Sequence, residues 1–313
     1  MKKLLISICV AVGVYFAFSN TIDEFLYPEK RPGLNTYDTY TTTTQQTTTA
    51  VTQQTPIVTD EDGYEPRDDR KPDYVQPADP TWSKRTFNWT SYDKRYTFEI
   101  SMNIQDDMYE YYHSLLRYSY VKDYHNYVSD DNNHKLVKQL ADEIKSLCDQ
   151  CGYGESETIR ETANFVQSIE YVDDMTSTGY TDFPKYPLET LYDQCGDCED
   201  SSILLGALLK ELGYGCIFIE LPEHVAIGVK ATDDAPGTYY DYNGSHYLYI
   251  ETTNSGWDIG TLPDDFNEEK AKIYNVPLVK TQMKKIIVTA KTLYSHPKNV
   301  SKIYAALHTD LAW

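Results

Sequence analysis

Basic residues are scarce in this chain. In 313 residues, 28 Lys and Arg stand against 48 Asp and Glu, for a formal net charge of −20. Phosphate would be repelled, so nucleic acid is excluded as a main partner. Long apolar runs are scarcer still. Only residues 4–18 form one, which excludes a multi-span membrane architecture. Six cysteines are too few for a small disulfide scaffold. No internal repeat is visible. What is present is a 41% hydrophobic fraction, enough for a packed core, in a chain long enough for one large domain or two small ones. The 29 tyrosines, together with a Thr-rich tract, suggest a surface-facing chain.

Lys2 and Lys3 precede the apolar run, the order of an export signal, and small residues near Ser19 suit cleavage there. The 15-residue run makes about 22 Å of helix, short for a hydrocarbon core of about 30 Å. Both a cleaved signal and a retained anchor are compatible with it. The stalk after it favours the anchor, because a stalk is useful when something is tethered. Cys9 is read as an apolar member of this segment. Between residues 36 and 55, 11 of 20 residues are Thr, and 60–80 is acidic and carries Pro66, Pro72, Pro77 and Pro80. Such sequence has no apolar face with which to offset its ordering entropy. The expected organisation is a signal peptide or anchor over 1–20, a disordered stalk over 21–81, a folded domain over 82–280 and a Lys-rich extension over 281–313. The location is extracytoplasmic, at the cell surface or secreted, with membrane contact through the first segment if it is uncleaved.

Within the domain, the alternating stretches 86–90 and 96–100 flank Tyr92-Asp93-Lys94 and predict a β-hairpin. The aromatic-rich stretch 108–127 reads as helix. Leu136, Leu140, Ile144 and Leu147 repeat at helical spacing, with Gly152 as a stop. Ile159, Ala163, Val166 and Ile169 mark another helix. An aromatic, Pro-containing loop spans 171–187, and 203–212 is a strongly apolar helix ending at Gly213. Three β-rich runs come after it, at 216–221, 225–229 and 247–250. Helices first and antiparallel-looking strands second favour an α+β fold, helices packed on an antiparallel sheet.

The stretch that carries chemistry is Cys195-Gly196-Asp197-Cys198-Glu199-Asp200-Ser201-Ser202. Asp197 suits the N-cap, and Asp200 at the third helical position resembles a capping box. Cys198 then falls on the first helical residue, where free N–H groups and the helix dipole are expected to lower a thiol pKa. A nucleophile and a structural cysteine are both compatible with this segment alone. His224 opens a buried strand and would serve as a base. Glu251 ends the run 247–251. If those strands pair antiparallel through a connecting loop at 233–245, Glu251 lies beside His224, since cross-strand neighbours are about 5 Å apart. Singly, His224 reads as an edge histidine and Glu251 as a solvated strand end; the ordered set is much less expected by chance.

These residues together resemble the transglutaminase-like superfamily of papain-like cysteine enzymes, in its bacterial and archaeal branch. The similar segments are Pro187-Leu188-Glu189-Thr190-Leu191, Gly196-Asp197-Cys198-Glu199-Asp200, Leu212-Gly213-Tyr214, His224-Val225-Ala226-Ile227-Gly228-Val229 and Tyr249-Ile250-Glu251-Thr252-Thr253. They cover roughly residues 82–280. The resemblance implies a papain-like α+β domain with Cys198 as nucleophile, His224 as general base and acid, and Glu251 as the orienting carboxylate, where many relatives have Asp. It implies amide-bond chemistry through a thioester, hydrolytic in a peptidase or amidase. The alternatives are transglutaminase-type acyl transfer and a non-catalytic surface module binding a peptide or glycan. The expected partner is a protein or peptide substrate of the cell envelope.

Other readings compete locally. Cys148-x-x-Cys151 and Cys195-x-x-Cys198 resemble a four-cysteine zinc pattern, but their separation of 43 residues exceeds the usual 15–20 or so. Disulfides from Cys195 to Cys148 or Cys151, or between those two, are alternatives; Cys216 reads as core. No cofactor is expected. Calcium at Glu199 and Asp200 is what the resemblance to one protease branch implies, and helix-dipole compensation is the preferred role of that pair. Gln194 is a candidate second oxyanion donor after the Cys198 backbone N–H. The loop 171–186, with Phe183, either walls the cleft or simply packs on the domain. Asn88, Asn243 and Asn299 head glycosylation sequons that matter only in a glycosylating host.

Overall fold

The computed structural model describes residues 72–264, 266 and 270–277, and the backbone of 301–306. The expected signal or anchor, the Thr-rich tract, Asn299 and the strand-like Ile286-Ile287-Val288 lie outside the described residues. Among the described residues no helix is long and apolar enough to cross a membrane.

The domain opens with the expected hairpin, β1 (Trp82–Thr90) and β2 (Tyr96–Gln105), paired antiparallel from Trp82↔Gln105 to Thr90↔Thr97. Chain upstream of Trp82 also packs. The Tyr74 hydroxyl donates to Asp107, and the Tyr111 hydroxyl donates to the Pro72 carbonyl at 2.8 Å. A strand from the expected C-terminal extension, β10 (Ser301–Ala306), lies parallel to β2 on its other side, so this sheet is mixed.

The stretch 108–127 is not one helix. It breaks into α1 (Asp106–His113), a 3-10 turn at Val121–Asp123 and α2 (His125–Val128). The cause is a tertiary substitute for helical bonding: the Tyr118 N–H donates to the Tyr127 hydroxyl at 2.7 Å. The next two helices obey their periodicity. In α3 (Asp131–Gln150), Leu136, Leu140, Ile144 and Leu147 are buried, Asp130 caps the N–H groups of Asn132 and Asn133, and Gly152 turns the chain at φ 72°. In α4 (Glu155–Gln167), Ile159, Ala163 and Val166 are buried, while Ile169 falls beyond the helix end.

The next loop holds β3 (Glu170–Tyr171) and α5 (Asp174–Ser177); then α6 (Pro187–Asp193) begins on its proline. β4 (Cys195–Gly196) pairs parallel with β3 and leads into α7 (Cys198–Glu211). Every residue of α7 from Asp200 to Lys210 is buried, so this helix is surrounded on all sides.

A second sheet, fully antiparallel, covers α7. Its order is β7 (Tyr239–Tyr242), β8 (Ser245–Ile250), β6 (His224–Ala231), β5 (Cys216–Leu221), β9 (Lys272–Asn275). The segment 233–245 is thus not a plain loop but supplies an edge strand. Phe218, Ile227, Val229, Leu248 and Ile250 join the core shared with the helices. Ile217, Ile219, Ala226, Tyr247 and Tyr249 point the other way into a second apolar cluster with Ile273. Burial on both faces explains why β5 reads as an unbroken apolar run rather than an alternating one. Gly228 sits opposite Ile217, where a Cβ would stand 2.7 Å from Ile217 Cγ1. The fold is therefore α+β, with helices against antiparallel strands.

Candidate functional site

Cys198 is the first residue of α7, as its position in the motif predicts. Gly196 lets β4 pass over the helix start: a Cβ there would meet Asp200 Cβ at 2.6 Å. The expected capping bonds are absent. Asp197 takes an extended N-cap conformation without a side-chain cap hydrogen bond. Asp200 turns inward, accepting from the Lys185 N–H at 2.6 Å, with the Lys185 ammonium 3.6 Å from its other oxygen. Lys185 is 1% exposed and also reaches the Cys195 carbonyl at 3.3 Å and Asp193 at 3.4 Å. A buried ion pair thus fixes the helix start to the preceding loop.

The electrostatics of the thiol run against the helix-dipole expectation. Burial pushes the Cys198 thiol well above its ordinary value, and the negative charges of Glu199 and Asp197 add to the shift. The sulfur donates to Glu199 Oε2 at 3.1 Å, while the Val225 backbone N–H is directed at it. Dipole stabilisation is outweighed first by burial and then by the acidic groups on both sides of the cysteine.

His224 begins β6 after a two-residue turn in which Glu223 takes φ 58°. Register brings Glu251 to it: Ile227 faces Ile250, and Glu251 is one step further along. His224 Nε2 lies 3.0 Å from Glu251 Oε2, both side chains being buried, and the ring stacks on Phe266 at 4.4 Å between centroids. Nδ1 is left on the other edge of the ring. The same Glu251 oxygen accepts from the Tyr249 hydroxyl at 2.7 Å. Oε1 accepts from the Thr252 and Thr253 N–H groups at 3.0 Å each and from the Thr253 hydroxyl at 2.8 Å. Burial alone would raise the Glu251 carboxyl, but His224 and these donors overcome it and bring the pKa down to about 2.

Further residues hold the parts in register. The Ser202 hydroxyl, one turn along α7 from Cys198, donates to the Val225 carbonyl at 3.0 Å and contacts Thr252 Oγ1 at 3.1 Å. It joins the nucleophile's helix to both strands. Gln167 donates to the Glu251 carbonyl at 2.7 Å. Neither was singled out from sequence. The signal for Ser202 was there, four residues from Cys198 on one helix face, whereas Gln167 comes from a helix distant in sequence and left none.

The structure thus brings His224 and Glu251 into direct contact and sets Cys198 against Val225, next to His224. The described hydrogen bonds include none between Cys198 and His224; the thiol proton points to Glu199 instead. Gln194 is committed elsewhere, donating to the Thr86 carbonyl at 2.9 Å from a left-handed backbone, φ 57°. Phe183 is buried and packs between Tyr180 and His113, with the Arg117 guanidinium over its ring, so it belongs to the domain's packing. Cys148, Cys151, Cys195, Cys198 and Cys216 are all free, and no group of cysteines among the described residues converges as metal ligands would.

Of the pair at which the resemblance implies calcium, Asp200 is turned to Lys185. The carboxylates that do converge are Asp174, Asp197 and Glu199, each with an oxygen within 4.8 Å of the others. These three could gather round a metal or another cation. Burial raises all three, Glu199 hydrogen-bonds Asp197, and the Asp197 carboxyl is pushed up to about 9 by burial and by Glu199.

No protein-family model matches the chain, and no curated protein matches it.

Proposed function

We propose that this chain is an extracytoplasmic cysteine enzyme with a transglutaminase-like, papain-like domain, acting on amide bonds through Cys198, His224 and Glu251. The observation that carries the reading is the buried His224–Glu251 pair at the strand end beside which a cysteine opens a buried helix. A saturated, strongly acidic carboxylate on one imidazole nitrogen stabilises the imidazolium and leaves the other nitrogen for a thiol.

The chemistry begins with the thiol turning from Glu199 towards His224. Its proton passes to the ring nitrogen as the sulfur attacks the amide carbonyl. The Cys198 backbone N–H, one of those a helix start leaves without an intrahelical partner, donates to the developing oxyanion. His224 then hands its proton to the leaving amine, and a thioester remains. Water resolves it in a peptidase or amidase, and His224 takes the proton of that water. Because the acidic flank disfavours a free thiolate at rest, proton transfer and attack are coupled.

The test uses the protein, wild type and Cys198→Ala, with cell-envelope material from its own source. Proteolytic or amidolytic products that appear with the wild type and vanish with the variant support hydrolysis. New isopeptide crosslinks instead support acyl transfer. Identical product sets from both proteins would remove the enzyme reading and leave a binding module.

A further inference from the structure

The hydrogen bond of His224 fixes its ring at one atom only. Nε2 lies 3.0 Å from Glu251 Oε2, and an ionised Glu251 keeps the proton on that nitrogen and the lone pair on Nδ1. One such contact sets a distance, not the plane of the ring. The torsion that turns an imidazole about its Cβ–Cγ bond is broad and roughly two-fold. An unsupported ring can therefore flip and offer either nitrogen to the carboxylate. The plane is set from elsewhere. Phe266, in the chain between β8 and β9, lies face to face with the imidazole, 4.4 Å between centroids and 10° between planes. Phe266 is itself anchored. It packs with Leu262 against the apolar cluster that holds Ala226, Tyr249 and Ile273, and its N–H donates to the Pro263 carbonyl at 3.1 Å.

We infer that Phe266 is a positioning residue for the base: its ring holds the imidazole plane, so that Nε2 stays on Glu251 and Nδ1 stays free for the thiol. The inference rests on the catalytic reading of Cys198 and His224. Contact through the ring face has a second effect. The imidazolium formed by proton transfer lies over the negative face of the phenyl ring, which favours the charged form when it is needed. Cover on that face also keeps water from the contact between His224 and Glu251, whose side chains are both buried, and a hydrogen bond is stronger where water is excluded. A leucine at 266 would fill much of the same space but offers no flat face and no ring quadrupole, whereas a tyrosine offers both. That difference separates positioning from packing.

The test uses the full chain as wild type, Phe266→Leu, Phe266→Tyr, Leu262→Ala and His224→Ala. Two-bond nitrogen–proton correlation spectra read which ring nitrogen of His224 carries the proton. Iodoacetamide reads the partnership with the thiol: the Cys198 sulfur displaces iodide from the methylene carbon while its proton passes to His224. Peptide mass spectrometry gives the rate at Cys198 and, as an internal reference, at Cys151. In Phe266→Leu we expect the two nitrogen shifts to draw together and Cys198 labelling to slow about fivefold relative to Cys151. Phe266→Tyr should restore both. Leu262→Ala loosens the same cluster with Phe266 still present and should change neither. Wild-type nitrogen shifts in Phe266→Leu overturn the inference and leave the enzyme reading intact. The same losses in Leu262→Ala as in Phe266→Leu also overturn it, because Phe266 then only fills space. Cys198 labelling equally fast in wild type and His224→Ala refutes the catalytic reading itself, and the positioning role with it.

Discussion

Glu251 accepts five hydrogen bonds, three of them from side chains that substitution can remove singly. Tyr249→Phe deletes the donor that shares an oxygen with His224. A buried hydrogen bond to a charge is worth about 1.5–3 kcal/mol, so the fold should survive with a lowered melting temperature. The His224 ring loses part of its orientation, and we expect substrate turnover to fall about tenfold, chiefly in kcat. A Tyr249→Phe protein with unchanged kcat would show that the phenol only fills space. Glu251→Gln removes the charge and should cost about 10²–10⁴ in rate. Its stability effect has a pH signature. The folded carboxyl sits near 2 against an ordinary value of 4.5, so its contribution is fully present above about 4.5 and is lost as pH falls towards 2. The stability gap between wild type and Glu251→Gln, measured by denaturant melts, should therefore shrink on acidification through that window. A gap independent of pH would refute the ionised pairing.

At the scale of elements, the sequence showed most of what positions the site. The hairpin, α3, α4, α7 and the strands β5, β6 and β8 all obey periodicities that burial imposes. Cys198, His224 and Glu251 were legible because each sits at an element boundary that the apolar pattern marks. The thiol's environment was not. The flanking Asp197 and Glu199 could be read directly, but the largest cause of the raised thiol pKa is burial of the helix start, a tertiary outcome that no local pattern reports. The split of 108–127 was hidden for a related reason: tyrosine suits helix, loop and core alike, and the Tyr118–Tyr127 contact that decides is tertiary. β7 was hidden because Tyr239–Tyr242 is short and lies inside a turn-rich segment. Close packing between β5 and β6 gives a test at this scale. Gly228→Ala would drive a methyl into Ile217, whose neighbours fill both faces of the sheet. We expect a loss of about 1–3 kcal/mol in denaturant unfolding, and slower labelling of Cys198, because β6 also carries His224 and Val225. A neutral Gly228→Ala would mean that the two strands separate more freely than their packing implies.

For the whole molecule, the folded unit reaches upstream of Trp82. Tyr74 bonds Asp107, accepts from Gln105 at 2.7 Å and packs edge-on against Tyr111 at 5.4 Å. A protein beginning at Pro72 should accordingly melt higher than one beginning at Trp82, by a few degrees for about 1–2 kcal/mol of lost contacts. Equal melting temperatures would confine the cooperative unit to the chain from Trp82 onward.

The order β1-β2-β10 has a mechanical consequence. Trp82 enters the sheet beside Gln105, and the parallel strand β10 ends with Ala306 beside Ser101, towards the same end of β2. Tension applied between those two points peels the outer strands from a shared edge, breaking the ladder one rung after another. Pulling at Trp82 against Tyr96, at opposite ends of the hairpin pairing, would load the rungs in parallel and shear them together. Load applied between Trp82 and Ala306 would therefore part this sheet at low force, while the antiparallel sheet carrying His224 stays outside the line of load.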